Sequence, residues 1–204
     1  MKLWLLVLIL LAACSVTQGK SAKQFNMWGY TWKVDRGKVA VKKDQVILTI
    51  NGLQCIDSQF ETVSTFGYGT YTMRFYQETS ESGSVAAGYS YSKDSVTEID
   101  VEQQGQYPER WDFTNWNTLE NHQESFVTGY DSTEVHTISY VWLPNFIAWY
   151  IDGKLVMTHT ISIPSEPAAF IFNYWNSNDP TWGGTLFAGT RRMHVTYFSY
   201  TESQ

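Results

Sequence analysis

Phe146-Ile147-Ala148-Trp149-Tyr150-Ile151-Asp152-Gly153-Lys154-Leu155-Val156-Met157 decides the fold class. Two apolar runs rich in strand-favouring residues flank Asp152-Gly153. Asp-Gly between such runs is what a two-residue primed turn requires, because both central residues need positive φ. The segment therefore reads as a β-hairpin. Outward from it the same pattern recurs. Val39 to Val41 and Val46, Leu48 and Ile50 are short alternating runs separated by Lys42-Lys43-Asp44, and Asn51-Gly52 signals a turn. Tyr71 to Tyr76, Ala168 to Trp175 and Met193 to Tyr200 supply further strands. No stretch longer than about ten residues carries capped helical periodicity. Strands at short spacing with turn signals predict an all-β sandwich or barrel in one domain.

The N-terminus reads differently. Met1-Lys2, the apolar run Leu3 to Leu11 and the small pair Ala12-Ala13 form a secretory signal, too short for a permanent membrane span. Residues 1–19 are assigned to it and residues 20–204 to a single domain. Leu11-Ala12-Ala13-Cys14 also has the form of a bacterial lipobox, so two processing routes stay open. Cleavage before Cys14 leaves a lipid-anchored envelope protein, and cleavage further on releases it to the outside. After removal of Lys2 the chain has 13 basic and 20 acidic residues, near −7, with no basic run. Phosphate backbones need a basic surface, so nucleic acid is excluded as a partner. Cys55 is the one cysteine beyond the signal, so no internal disulfide framework is available and a monomer held by its core is expected. Nine Trp, 13 Tyr and 11 Phe make up 16% of the chain. Such residues fill cores, and they also make platforms on which sugar rings stack.

Chemistry concentrates in Thr97-Glu98-Ile99-Asp100-Val101-Glu102-Gln103. On a strand, residues two apart share a face, so Glu98, Asp100 and Glu102 project together while Ile99 and Val101 project to the core. Three like charges in a row repel, and acidic residues are poor strand formers. The segment alone leaves three readings: a carboxylate pair for acid/base and nucleophilic catalysis, oxygen ligands for a divalent cation, or an acidic solvent face. Glu98 and Glu102 lie about 13 Å apart along a flat strand. Twist and leaning side chains bring the ~5–5.5 Å carboxyl separation of a retaining glycosidase within reach. His122, His136, His159 and His194 are scattered without metal-ligand spacing, and no phosphate cradle or serine elbow is present.

Glu98-Ile99-Asp100-Val101-Glu102 resembles the signature of glycoside hydrolase family 16, the laminarinase and lichenase group. The resemblance covers most of the chain. Phe25-Asn26 with Tyr30-Thr31-Trp32 is similar to the family's N-terminal strand, and Phe66 to Tyr71 to its glycine-flanked strand. Asn121-His122-Gln123, Val135 to Trp142, Phe146 to Gly153, Phe172 to Asn176 and Trp182-Gly183-Gly184 resemble the bacterial lichenases in order. The resemblance implies a concanavalin A-like β-jelly roll of two curved antiparallel sheets with a sugar groove on the concave face. It implies Glu98 as nucleophile, Asp100 as auxiliary carboxylate and Glu102 as acid/base. Asn173, Trp175, Tyr89, His122, Trp182 and Gln59 are the expected substrate contacts. The implied activity is endo-hydrolysis of β-1,3- or mixed β-1,3/1,4-glucans by double displacement, with transglycosylation or mere carbohydrate binding as alternatives. No organic cofactor is implied. Departures are specific: Ser95-Val96-Thr97 replaces an aromatic residue before Glu98, and Gln59-Phe60-Glu61 replaces a Glu-Tyr-Arg stretch. Thr196 stands where the family's structural calcium uses an aspartate, which makes calcium unexpected.

Overall fold

The structure is a computed structural model that describes residues 23–52, 57–93 and 97–203. The signal segment, Cys14, Cys55 and the Ser95-Val96 part of the loop before Glu98 lie outside the described residues. Fifteen strands are described: β1 (Gln24–Met27), β2 (Tyr30–Arg36), β3 (Lys38–Val41), β4 (Val46–Asn51), β5 (Asp57–Phe66), β6 (Gly69–Gln77), β7 (Ser84–Ser92), β8 (Thr97–Gln104), β9 (Arg110–Trp116), β10 (His122–Thr128), β11 (Ile138–Leu143), β12 (Phe146–Ile151), β13 (Lys154–His159), β14 (Ala168–Asn176) and β15 (Thr190–Glu202). An eight-stranded sheet runs β1-β2-β5-β14-β7-β8-β9-β10, and a seven-stranded sheet runs β13-β12-β11-β6-β15-β4-β3. Every described pairing is antiparallel. This is the expected all-β sandwich of two antiparallel sheets. No helix among the described residues is long and apolar enough to cross a membrane.

The opening hairpin forms as its turn chemistry requires. Asp152 and Gly153 take φ of 51° and 78° between β12 and β13. The Asp152 carboxylate accepts the Thr137 amide at 2.8 Å and pairs with His136 Nδ1 at 2.7 Å, offsetting the strain of a non-glycine residue at positive φ. Between the sheets, Trp32, Phe60, Phe172 and Phe198 meet edge-on, tilted or stacked at ring separations of 5.0 to 6.3 Å. Burying each such ring contributes roughly 1.5–3 kcal/mol. At Gly88 on β7 this core packs close against the backbone. A Cβ there would stand 2.8 Å from Met73 Sδ and 3.1 Å from the Phe172 ring.

Period-two alternation then sorts the eight-stranded sheet into two faces. Phe60, Ile99, Val101, Phe113, Phe172 and Tyr174 point into the core. Their neighbours Gln59, Glu61, Asp100, Asp112 and Asn173 are on the other face, yet each is less than 10% exposed. Polar groups on a flat outer face would be wet; these are recessed, so this face is a groove.

Candidate active site

β8 stands near the middle of that face. Pairing with β7 sets Tyr91, Tyr89 and Ala87 opposite Glu98, Asp100 and Glu102. Pairing with β9 sets Trp116, Thr114 and Asp112 opposite the same three residues. The three acids thus share one row, as the alternation predicts. Glu98 and Glu102 are half-buried and Asp100 is buried.

Burial is the main force on their protonation. It raises the Glu98 carboxyl to about 7, opposed by a hydrogen bond from Asp100 that favours the charged form. Burial also raises Asp100 far above its ordinary value, and the charges of Glu98 and Glu102 on either side push the same way. Glu102 is raised to about 8, by burial first and then by the charges of Asp112 and Glu98. Near neutral pH the row therefore holds a protonated Asp100 donating to Glu98, with Glu98 and Glu102 both raised into the neutral range. Two carboxyls that titrate near neutral pH can serve as an acid and a nucleophile at one bond.

A second polar cluster fills the groove toward β2. Asn173 on β14 donates to Asp57 Oδ1 at 2.8 Å and to Gln59 Oε1 at 2.9 Å on β5. Tyr89 OH donates to the same Gln59 oxygen at 3.2 Å. Arg36 on β2 donates to Asp57, and Gln59 Nε2 donates to Asp35 at 3.3 Å. Both donors of the Asn173 amide are thereby spent, while its buried Oδ1 has no hydrogen-bond partner. Trp175 and Trp182 stack on each other at 5.6 Å and 21°. Gln106 Nε2 donates to the Trp182 carbonyl at 2.6 Å, and the Gly183 amide to Gln104 Oε1 at 3.0 Å, which holds this loop against the groove.

These contacts and the strand order together match a known architecture. Residues 26–197 fit the family described as Glycosyl hydrolases family 16. The chain belongs to that family, and it is a glycoside hydrolase. The β-glucanase of Bacillus subtilis (strain 168) is 28% identical over 183 residues, covering 84% of this chain and 74% of its own. The β-glucanase of Paenibacillus polymyxa is 30% identical over 146 residues, 68% of this chain and 60% of its own. Among solved structures, Bacillus licheniformis β-glucanase superposes with a TM-score of 0.77 at 23% identity, over 90% of this chain and all of that one. The jelly-roll expectation is met in that likeness.

The family 16 hydrolase brings Tyr89, Gln59 and Asn173 together in one network beside the acids. Trp175 and Trp182 sit at one rim. His122 lies further out, on edge strand β10, stacked on Trp116 at 4.0 Å. The arginine missing from Gln59-Phe60-Glu61 has a counterpart in space, since Arg36 reaches the same cluster from β2. Glu61 is paired with Lys33 at 2.7 Å. Arg36, Asp57 and Asp112 are recessed or half-recessed groove residues that sequence reasoning passed over, and Asp35 is exposed beside them. Asp57, Gln59 and Glu61 fall at steps of two like the acids of the catalytic segment, which was the available signal for Asp57, although Ser58 interrupts the apolar alternation. The Thr196 position does not fit a hard cation. Its neutral hydroxyl donates to the Arg74 carbonyl at 3.4 Å beside a β-bulge, with no carboxylate to offer. The other histidines have structural partners: His159 is buried against Asn115 and Ser125, and His194 bonds Gln45 and Glu78.

Proposed function

We propose that residues 20–204 form a retaining endo-β-glucanase acting on β-1,3- or mixed β-1,3/1,4-linked glucans outside the cell, released or anchored at Cys14. The observation that carries this reading is the row Glu98, Asp100, Glu102 on one face of β8, in which burial raises all three carboxyls and Asp100 bonds Glu98. The β-glucanase names of the relatives support the substrate class.

In the first step the Glu98 carboxylate attacks the anomeric carbon. The bond to the leaving oxygen breaks, and Glu102 gives that oxygen its proton, leaving a glycosyl ester on Glu98. In the second step Glu102, now a carboxylate, takes a proton from water. The hydroxide oxygen attacks the anomeric carbon, and Glu98 departs as carboxylate. Asp100 keeps Glu98 oriented through its hydrogen bond and moderates the charge when the ester forms. Asn173 holds Asp57 and Gln59 in place beside the acids through its amide donors.

Product analysis on laminarin, lichenan, agarose, carrageenan and xyloglucan tests this, comparing the parent with Glu98→Gln. Oligosaccharides from laminarin or lichenan with the parent, and none with the variant, are expected. Equal release by both would overturn the nucleophile assignment. Products longer than the starting chains would show transfer in place of hydrolysis.

A further inference from the structure

The groove face continues past the catalytic strand. Following the pairing outward from Glu102 leads to Asp112 on β9 and then to Phe126 on β10. Directly opposed residues share a face, so Phe126 lies in the same row as the proton donor, two strand spacings or roughly 10 Å away. In the other direction the same row holds Ala87, Asn173 and Gln59. We propose that Phe126, Tyr107 and Arg110 form a binding platform for sugar units of the substrate chain, on the arm of the groove opposite Asn173.

The outward face of β10 reads His122, Glu124, Phe126, Thr128, and Phe126 breaks its polar character. It is 54% exposed and Tyr107 is 42% exposed. A single exposed ring is ordinary. Here two rings flank one guanidinium, with Arg110 Cζ 4.1 Å from the Phe126 centroid and 5.2 Å from that of Tyr107. They line an open cavity of about 400 Å³ with Pro108 and Thr128. Arg110 is held in place, because Nε donates to Asp112 Oδ1 at 2.8 Å and Nη2 donates to the same atom. Asp112 is fixed in turn by Gln104 Nε2 at 3.2 Å. Of the five guanidinium N–H groups, three stay available for hydroxyls. The combination of a flat apolar ring with a fixed array of donors suits a β-linked pyranose. Its axial C–H bonds make an apolar face, and its hydroxyls project from the ring edge. Because the partners are already ordered, little conformational entropy is lost on binding.

The platform rests on the reading of the groove as a polysaccharide cleft, so the test separates the two. Kinetics of the parent, Phe126→Ala and Phe126→Trp are compared on β-glucan oligosaccharides of increasing length and on the polymer. Loss of ring contact lowers kcat/KM on the polymer by about five- to tenfold, mainly through KM. The loss shrinks toward the shortest oligosaccharide cleaved, and Phe126→Trp retains the parent's length dependence. An equal loss at every length, or none on the polymer, overturns the platform while leaving the hydrolase reading intact. Calorimetric titration of the same oligosaccharides into Glu98→Gln, with and without Phe126→Ala, reads the platform without turnover. A length-dependent gain in affinity that survives Phe126→Ala overturns it too. A parent that cleaves no β-linked glucan while this gain is present and ring-dependent overturns the hydrolase reading alone.

Discussion

Asp112→Asn offers a quantitative probe of how the groove sets its proton donor. Asp112 stands directly across from Glu102, and its charge follows burial among the causes that raise the Glu102 carboxyl to about 8. Two unit charges about 6 Å apart at an effective dielectric near 20 interact by roughly 3 kcal/mol, or about two pKa units. Glu102 is half-buried and opens to groove water, which screens this to about one unit. Asparagine keeps an acceptor for Arg110 but removes the charge, and Arg110 is left as an uncompensated cation. Both changes favour ionised Glu102, so its carboxyl falls from about 8 toward about 7. The parent should show a narrow bell in kcat/KM against pH, with an acid limb near 7 from Glu98 and a basic limb near 8 from Glu102. In the variant the basic limb moves down by about one unit. Activity at pH 9 falls about tenfold, and at pH 6 it is nearly unchanged. Initial rates at low substrate across pH 5 to 10 measure this. A basic limb that stays put or moves upward would refute the role of Asp112 and put Glu102 in question as the donor.

Three further outcomes follow from the same structure. Burial favours protonated Glu102 in the fold but not in the unfolded chain, so its contribution to stability is fully present at pH 4 and is lost as pH rises through about 8. Glu102→Gln should therefore melt a few degrees above the parent at pH 9 and alongside it at pH 4, by calorimetry, while losing activity. Asn173→Ala strips Asp57 and Gln59 of their shared donor. It should lower kcat/KM by about ten- to a hundredfold, read from initial rates. Trp32→Ala opens a cavity among Phe60, Phe172 and Phe198. It should cost about 3–5 kcal/mol and lower the melting temperature by roughly 10 °C.

Legibility in the sequence was uneven for physical reasons. The β12–β13 hairpin and the Glu98 row were readable because turn chemistry and period-two alternation are local. β7, Ser84 to Ser92, carries mostly small residues and offers no alternation, although it forms the floor between Asn173 and Glu102. β10 alternates between groove and a polar interior around His159 and Ser125, so hydropathy concealed it. Arg36, Asp57 and Asn173 come together only through the β2–β5–β14 pairing, which links residues more than a hundred positions apart. No local pattern encodes that register. Phe126 was hidden for the same reason, since only the β8–β9–β10 register aligns it with Glu102.

The central claim is a covalent intermediate on Glu98. The most direct measurement is the mass of the peptide spanning Thr97 to Gln103 after rapid acid quench of the Glu102→Ala variant. That variant would be given a β-glucosyl substrate with an activated leaving group, which needs no proton to depart. A glycosyl adduct on Glu98 that builds up in the first turnover and disappears when azide is added, giving a β-glycosyl azide, is the predicted result. An adduct on another residue, or an α-glycosyl azide formed directly from the substrate, would contradict the account.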